Sequence, residues 1–203
     1  MNRTYFDTRT SSAVTGTVLF KMWGYPQDEE TLKTLGVYPI FYDYPKYDSR
    51  FYTISPKGDP TPDLENNRYV QSFDIVELSL DSIKESLKRQ ANEKRHSILD
   101  DGTIIINNIV EVPTSESEMN TLSTIVSDME KFEIQTVDYK FKSGFSSYNL
   151  DQMKLVLQTL MVYIQSCFSH EKELYDLIDS AESISDFEAI DINSNWPSTE
   201  ISV

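Results

Sequence analysis

One segment of this chain begins like a metal-binding protease motif. His170-Glu171 matches the start of the His-Glu-x-x-His pattern, in which two histidines one helical turn apart bind zinc and the glutamate acts as a base. The second histidine is missing, because Leu174 stands at its position. We therefore expect no zinc site here.

A second segment has the spacing of half a di-iron site. Glu93 and His96 form a Glu-x-x-His pair, and such sites need a second pair on another helix. The residue three positions before His170 is Cys167, so that second pair is missing. The chain also has no Gly-x-Ser-x-Gly nucleophile motif and no phosphate-binding Gly-x-x-x-x-Gly-Lys. We predict a protein that is not an enzyme and that uses no catalytic residue, metal or cofactor.

The composition is acidic and rich in aromatic residues. The 203 residues carry a net charge of −15, and aromatic residues make up 12%, which is typical of a folded chain. From Asp151 onward there are ten Asp and Glu residues against two Lys. Such a charge disfavours nucleic-acid binding, and the acidic residues either form a solvated helix face or meet a basic partner.

The single cysteine, Cys167, is predicted to be a buried structural thiol, since it lies among apolar helix positions.

No apolar run is long enough to predict a membrane-spanning helix. The first twelve residues are mostly polar and include Asp7, unlike the apolar centre of a secretory signal. We expect synthesis in the cytoplasm and no membrane insertion.

The last third of the chain predicts a β-hairpin followed by one long helix. Apolar and polar residues alternate over residues 137–142, and Ser143-Gly144 supplies a turn. Asn149 with Gln152 forms a capping box, and about thirty residues without Gly or Pro follow. Glu171 alone interrupts the apolar series, whose members are Met153, Leu157, Leu160, Ile164, Cys167, Leu174, Ile178 and Ala181. This helix either packs on the hairpin or forms a coiled-coil contact with a neighbouring copy.

The middle of the chain predicts two more helices and a second hairpin. An apolar stripe of Leu80, Ile83, Leu87 and Ala91 indicates a helix over residues 80–96. Residues 103–112 form a hairpin around Asn107-Asn108, because asparagine tolerates the positive φ of a type I′ turn. Residues 116–130 form the other helix.

The first eighty residues are predicted to be rich in strands. Residues 1–16 read as an extended or mobile arm and residues 18–23 as a short strand. Asp28 caps a short helix that ends at Gly36. Residues 37–52 are dense in aromatic residues and proline, which indicates irregular strands and tight loops. A loop over residues 56–67 then leads into a strand over residues 68–78.

These elements predict an α+β fold in two modules. After the arm, residues 17–79 form a small aromatic-rich β module. A helix over residues 80–100 connects it to a C-terminal α+β domain over residues 101–197, built from a hairpin and a long helix. Residues 198–203 form a tail.

The C-terminal domain contains a long ordered pattern of residues: Val137, Tyr139, Lys140, Gly144, Phe145, Leu150, Ile164, Gln165, Cys167, Phe168, Glu171, Leu174, Ile178, Ala181, Ile190, Asp191 and Trp196. This pattern resembles that of an uncharacterised domain of tail-fibre and tail-fibre-assembly proteins of tailed bacteriophages. A segment nearer the N-terminus, Thr31 to Pro39, resembles the Thr-Leu-x-x-Leu-Gly-Val-x-Pro segment of the same proteins. The resemblance extends over residues 28–197 and implies a place in a virion tail or fibre, without an enzymatic site.

We therefore expect a structural virion protein of the tail, baseplate or fibre region that docks to other tail or fibre proteins. Aromatic residues are common at interfaces, although they also fill small cores. The candidate interface residues are Tyr38, Phe41, Tyr42, Tyr44, Tyr47, Leu80, Ile83, Leu87 and Trp196. The expected assembly is a homo-oligomer, with a trimer as first choice. The alternatives are a transient fibre-assembly chaperone, whose segment 193–203 would thread into a partner, and a receptor-binding tip.

Overall fold

The computed structural model describes residues 3–23 and 28–203, and the chain divides into two compact units. The N-terminal unit comprises Met1–Leu78 and the C-terminal unit Ser79–Val203. Both helices and strands are present, so the predicted α+β class is confirmed. Residues 24–27, part of the predicted break after the first apolar segment, lie outside the described residues.

The N-terminal unit is a sheet with two short helices. Its elements are β1 (Thr4–Asp7), β2 (Ser12–Thr15), α1 (Gly16–Trp23), α2 (Glu29–Thr34), β3 (Val37–Asp43), β4 (Tyr52–Pro56), β5 (Thr61–Asp63) and β6 (Arg68–Glu77). The strand order is β2-β1-β3-β6-β4, and β5 also pairs with β6. Among the strand pairs of this sheet that the structure describes, β3 and β6 run parallel and the others are antiparallel.

The strand β6 is as long as predicted and organises half of this sheet. Its two ends pair with β5 and β4, so the predicted loop over residues 56–67 contains a short strand. Between the two pairings the buried amide of Gln71 donates to the carbonyls of Gly58 and Ser72, at 3.2 and 2.9 Å. These bonds satisfy a polar side chain that would otherwise destabilise the sheet.

The helices α1 and α2 contribute leucines to a small core. Leu19 and Leu32 are buried together with Val37 of β3. Asp28 caps α2 by accepting from Thr31 N, and Gly36 follows the helix with a φ of 79°. Both of these details agree with the prediction for this helix.

Two predictions for the N-terminus are corrected by the structure. Residues 18–23 form part of the helix α1 and not a strand. A strand would place Lys21 on the same face as the buried Leu19, whereas the helix leaves Lys21 exposed. So short a segment does not distinguish the two periods by sequence. The predicted arm contains β1 and β2, and β1 pairs with β3 from Tyr5↔Pro39 to Asp7↔Val37. This long-range pairing has no local sequence signal.

Asp7 at the end of β1 makes the stability of the N-terminal unit sensitive to acid. Its carboxylate is buried and accepts from Arg9 Nε at 2.9 Å and Arg9 Nη2 at 2.7 Å. The hydrogen bonds from the Arg9 side chain hold the pKa of Asp7 below its ordinary value of 3.8. The stabilisation is therefore complete above pH 3.8 and disappears as the pH falls through the lowered pKa.

We predict that Asp7→Asn lowers the free energy of unfolding of this unit by about 1–2 kcal/mol at pH 7. The difference from wild type should shrink as the pH falls from 3.8 through the lowered pKa. The reason is that wild-type Asp7 is then protonated, first in the unfolded state and finally in the folded state. Urea unfolding at several pH values measures this difference. Asp59→Asn, at an exposed position, is the control, and a difference for Asp7→Asn that stays constant with pH would contradict the assignment.

The C-terminal unit combines three longer helices with two small sheets. Its elements are α3 (Leu80–Asp100), β7 (Thr103–Ile106), β8 (Val110–Pro113), α4 (Glu116–Lys131), β9 (Thr136–Phe141), β10 (Gly144–Asn149), α5 (Leu150–Ser180), α6 (Ile184–Glu188) and β11 (Glu200–Ile201). One sheet has the order β11-β7-β8, and β9 and β10 form the other.

Both predicted hairpins and the long helix are confirmed. Asn107 and Asn108 connect β7 to β8 with φ values of 52° and 57°, as a type I′ turn requires. The helix α5 has 31 residues and begins with the predicted capping box between Asn149 and Gln152. The core of this unit is formed by buried side chains of α4, α5 and all four hairpin strands, with Leu99 of α3.

The predicted connecting helix, α3, belongs to the C-terminal unit. It packs against α5, and polar side chains join the two helices. Arg95 Nε donates to Glu171 Oε2 at 2.7 Å, and both residues are buried. Lys88 Nζ lies 2.7 Å from Asp179 Oδ1. Charged side chains of α3 therefore pair with acidic side chains of α5.

The predicted tail also differs from expectation. Glu200 and Ile201 form β11, which pairs parallel with Ile105 and Ile106 of β7. The backbone N–H of Val203 donates to Asn107 Oδ1 at 2.9 Å. The end of segment 193–203, which was considered as an extension that threads into a partner, is thus bound to the sheet of its own unit.

Within the described residues, no helix is both long enough and apolar enough to cross a lipid bilayer.

Candidate docking surfaces

One face of the N-terminal sheet is covered with aromatic side chains. Residues paired across neighbouring strands point to the same face, and the register places Phe6 beside Tyr38, and Tyr42 beside Gln71. Alternation along β6 adds Tyr69 and Phe73 to this side. We call this surface the aromatic face; its members are Phe6, Tyr38, Tyr42, Tyr44, Tyr69 and Phe73.

The aromatic face consists of two groups of packed rings. In the first group, Tyr69 stacks on Phe6 at 4.4 Å between ring centroids and contacts Tyr38 at 5.7 Å. In the second group, Tyr44 stacks on Phe73 at 4.9 Å and on Tyr42 at 5.9 Å. The two groups differ in accessibility, because Phe6 is buried whereas Tyr44 is 61% exposed.

Aliphatic side chains extend the exposed part of this face. Ile75 of β6 is 47% exposed and pairs with the half-buried Ile54 of β4. Tyr44, Phe73, Ile75 and Ile54 therefore offer ring faces and branched side chains that a partner protein could cover. The sequence prediction omitted Phe73, Ile75 and Ile54, although the alternation within residues 68–78 contains the signal that would place Phe73 and Ile75 on one side.

The structure places the predicted aromatic interface residues on different surfaces of the N-terminal unit. Tyr38, Tyr42 and Tyr44 lie on the aromatic face, but Phe41 points to the opposite side of β3 because neighbouring strand residues alternate. The guanidinium of Arg68 lies 4.3 Å from the ring centroid of Phe41. Tyr47 is 39% exposed in the segment between β3 and β4.

Arg68 is held in place over Phe41 by an ion pair. Its Nε donates to Asp63 Oδ2 at 2.8 Å across the turn between β5 and β6. Hydrogen bonds from the Asn66 side chain, and then from Arg68, keep the pKa of Asp63 below its ordinary value. The opposite face of the sheet thus carries the cation of Arg68 next to the exposed ring of Phe41. The centre of the aromatic face, in contrast, has no charged side chain.

The predicted interface residues of the C-terminal unit are mostly internal. Ile83 and Leu87 are 0% and 4% exposed, so their prediction as docking residues is wrong. Leu80, at the start of α3, is half-buried. Half-buried Trp196 donates through Nε1 to the carbonyl of Ile192 at 2.8 Å and stabilises the segment that leads to β11.

The side chains considered for chemistry have structural contacts in this fold. Cys167 is fully buried, and burial raises the pKa of its thiol, which lowers its reactivity. His170 Nε2 lies 3.1 Å from the carbonyl oxygen of Ser194. His96 Nδ1 lies 3.3 Å from Asp100 Oδ2. Among the residues that the structure describes, no three His, Cys, Asp or Glu side chains are placed to hold a metal ion.

Open clefts lie along α5. One of about 710 Å³ is bordered by the second half of α5 and the segment that follows it, and its lining includes Glu173, Leu177, Glu182 and Asp191. Two others, about 650 and 300 Å³, lie on either side of Val162. Apart from His170 and Glu173 in the larger of these two, their lining is apolar or uncharged.

Comparison with known proteins assigns the C-terminal unit to a family. No curated protein and no solved structure matches the chain significantly. One family model, described as a domain of unknown function (DUF4376), matches residues 82–194. This region extends from the first turn of α3 to the segment after α6, and it is more than half of the chain. The chain therefore belongs to the DUF4376 family.

Proposed function

We propose that this protein is a structural component of a tailed-phage virion, in the tail, baseplate or fibre region. It acts by non-covalent docking, and several copies are present in the assembly. The docking surface is the exposed part of the aromatic face, and its partner is another tail or fibre protein.

The observation that carries this proposal is the ring stack of Tyr42, Tyr44 and Phe73 on an open sheet face. Aromatic residues supply much of the energy at protein interfaces, and charged residues are depleted at the interface centre. Tyr44 is 61% exposed, and its ring stacks on the ring of Phe73 with 4.9 Å between the centroids. The rings are thus already ordered, which reduces the entropy lost on binding.

The sequence resemblance to tail-fibre and tail-fibre-assembly proteins supports the virion context. It extends over residues 28–197, which include β3, where Tyr42 lies, and the whole of α5. A docking function needs no catalytic side chain. Cys167 is buried, and His170 contacts the backbone carbonyl of Ser194.

We predict that Tyr44→Ala weakens the docking of this protein by roughly ten- to one hundred-fold, the range expected for an aromatic residue at an interface centre. The measurement is the copy number per purified particle by quantitative mass spectrometry, in particles assembled with the variant. Phe41→Ala is the matched control, because Phe41 is also exposed but lies on the opposite face of the same sheet. Equal effects of both variants, or no effect of Tyr44→Ala, would contradict the proposed surface.

The same particles distinguish the structural role from the chaperone role. A stoichiometric amount of the protein in purified virions supports a structural component. Its absence from virions, together with its presence on unassembled fibres, would replace this proposal by a transient assembly role.

A further inference from the structure

The central part of α5 lacks charge although it is exposed. Residues 155–169 contain no Asp, Glu, Lys or Arg, in a chain that is 25% charged. Several side chains of this stretch face solvent: Leu155, Met161 and Val162 are 43%, 53% and 59% exposed. We call Leu155, Gln158, Met161, Val162 and Gln165 the uncharged face. A solvated helix face normally carries charged residues, so this face needs another explanation.

The shape of the uncharged face suits contact with a second helix. Val162 forms a ridge between two clefts, one of about 300 Å³ towards Leu155 and Ile201, and one of about 650 Å³ towards Met161 and Pro197. Helices pack by placing ridges of one surface into grooves of the other. A surface with a ridge between two grooves can therefore pack against its own copy.

The charge of the protein favours a copy as the occupant. A basic partner would be attracted to the acidic faces of this chain, whereas the uncharged face offers it no electrostatic attraction. A second copy with a net charge of −15 is repelled by those faces, because like charges brought together at an interface are unfavourable. The uncharged face is where two acidic copies can meet without this cost.

The distribution of acidic residues also determines the orientation. Eight Asp and Glu residues lie between Glu171 and Asp191, against the single Lys172. A parallel pair or trimer of α5 helices would bring these acidic ends together, whereas an antiparallel pair keeps them apart. Antiparallel helices also align their dipoles favourably.

We infer that the chain forms a homodimer in which the uncharged faces of two α5 helices pack antiparallel about a two-fold axis near Val162 and Gln165. This inference rests on the part of the proposed function that places several copies together. It replaces the trimer expected from the resemblance to fibres by a dimer.

The first test is the mass of the purified full chain by sedimentation equilibrium. We expect twice the 23.4 kDa of one chain. Val162→Glu and Met161→Glu should each raise the dimer Kd by about two orders of magnitude, because each buries an unpaired charge at the interface centre. Glu favours helix more than Val does, so circular dichroism should show an unchanged fold.

The matched control is Leu177→Glu, which adds the same charge at a 54% exposed leucine of the same helix outside the uncharged face. It should leave the dimer Kd within about threefold of wild type, since a single surface charge at this distance is largely screened. A wild-type chain that stays monomeric at high micromolar concentration, or a dimer that is insensitive to Val162→Glu, would overturn the inference.

The second test is cross-linking with a short bismaleimide, which reports the orientation. Gln165→Cys should link to its copy, because residue 165 lies near the two-fold axis. Leu155→Cys should not, because the two copies of residue 155 would be about 25 Å apart along the helix axis. Wild type is the control, since its Cys167 is 0% exposed. Efficient linkage through both positions would indicate a parallel assembly and would overturn the antiparallel arrangement.

These results are separable from those on the docking surface. If the chain is monomeric but Tyr44→Ala still reduces its copy number in particles, only the homodimer is overturned. If the chain is dimeric but Tyr44→Ala has no effect, the homodimer stands and the aromatic docking surface is overturned.

Discussion

Glu171→Leu should lower the free energy of unfolding of the C-terminal unit by about 3–5 kcal/mol, because it leaves the charge of Arg95 buried without its countercharge. The side chains of Arg95 and Glu171 are 10% and 11% exposed, and their ion pair measures 2.7 Å. Glu171 Oε1 also accepts from Asn92 Nδ2 at 3.1 Å. Urea unfolding followed by circular dichroism measures the loss, since most helical residues belong to this unit.

A double variant distinguishes a buried charge from a packing effect. Arg95→Met with Glu171→Leu replaces both charges by apolar side chains of similar size, and it should recover most of the lost stability, because a buried ion pair is often no better than an apolar pair. A double variant that is as unstable as Glu171→Leu would show that the uncompensated charge is not the cause.

Leu160→Ala should destabilise the same unit by about 2–5 kcal/mol, the range observed when a buried leucine is reduced to alanine. Leu160 is fully buried on α5, in the core shared with α4 and the hairpins. The loss combines the apolar surface that is no longer buried with the cavity that remains. The midpoint of urea unfolding should fall while its slope stays constant.

The control for this prediction is Leu177→Ala on the same helix. Leu177 is 54% exposed, so its truncation removes little buried surface and should change stability by less than about 0.5 kcal/mol. Helix propensity favours alanine slightly over leucine and changes equally in both variants. Comparable losses for the two variants would therefore contradict the assignment of Leu160 to the core.

Elements with strong local signals were predicted well. The Asn107-Asn108 turn, the capping box at Asn149 and the apolar period of α5 each depend on residues close together in sequence, and the corresponding elements have nearly the predicted bounds. Elements that depend on distant partners were missed. The strand β1 is stabilised by pairing with β3, and β11 by pairing with β7, and neither segment has a distinctive pattern of its own.

The candidate docking surface was predicted in part for the same reason. The density of aromatic residues in β3 indicated an interface or a small core, and Tyr42 and Tyr44 do lie on the aromatic face. Phe73 and Ile75 come from β6, which is joined to β3 by parallel pairing, so their contribution depends on the sheet register. Phe41 was assigned to the same surface, although alternation along β3 places it on the other side.

Local residue patterns were sufficient to predict the α+β class, the two hairpins of the C-terminal unit and the long helix α5, because turn chemistry, capping and periodicity act over a few residues. The sequence also contained one unexplained signal, the acidic Glu171 within the apolar series of that helix. The packing of α3 against α5 explains this residue, because it places Arg95 beside it. A buried charge needs a countercharge in space, and helix packing brings that partner from 76 residues away.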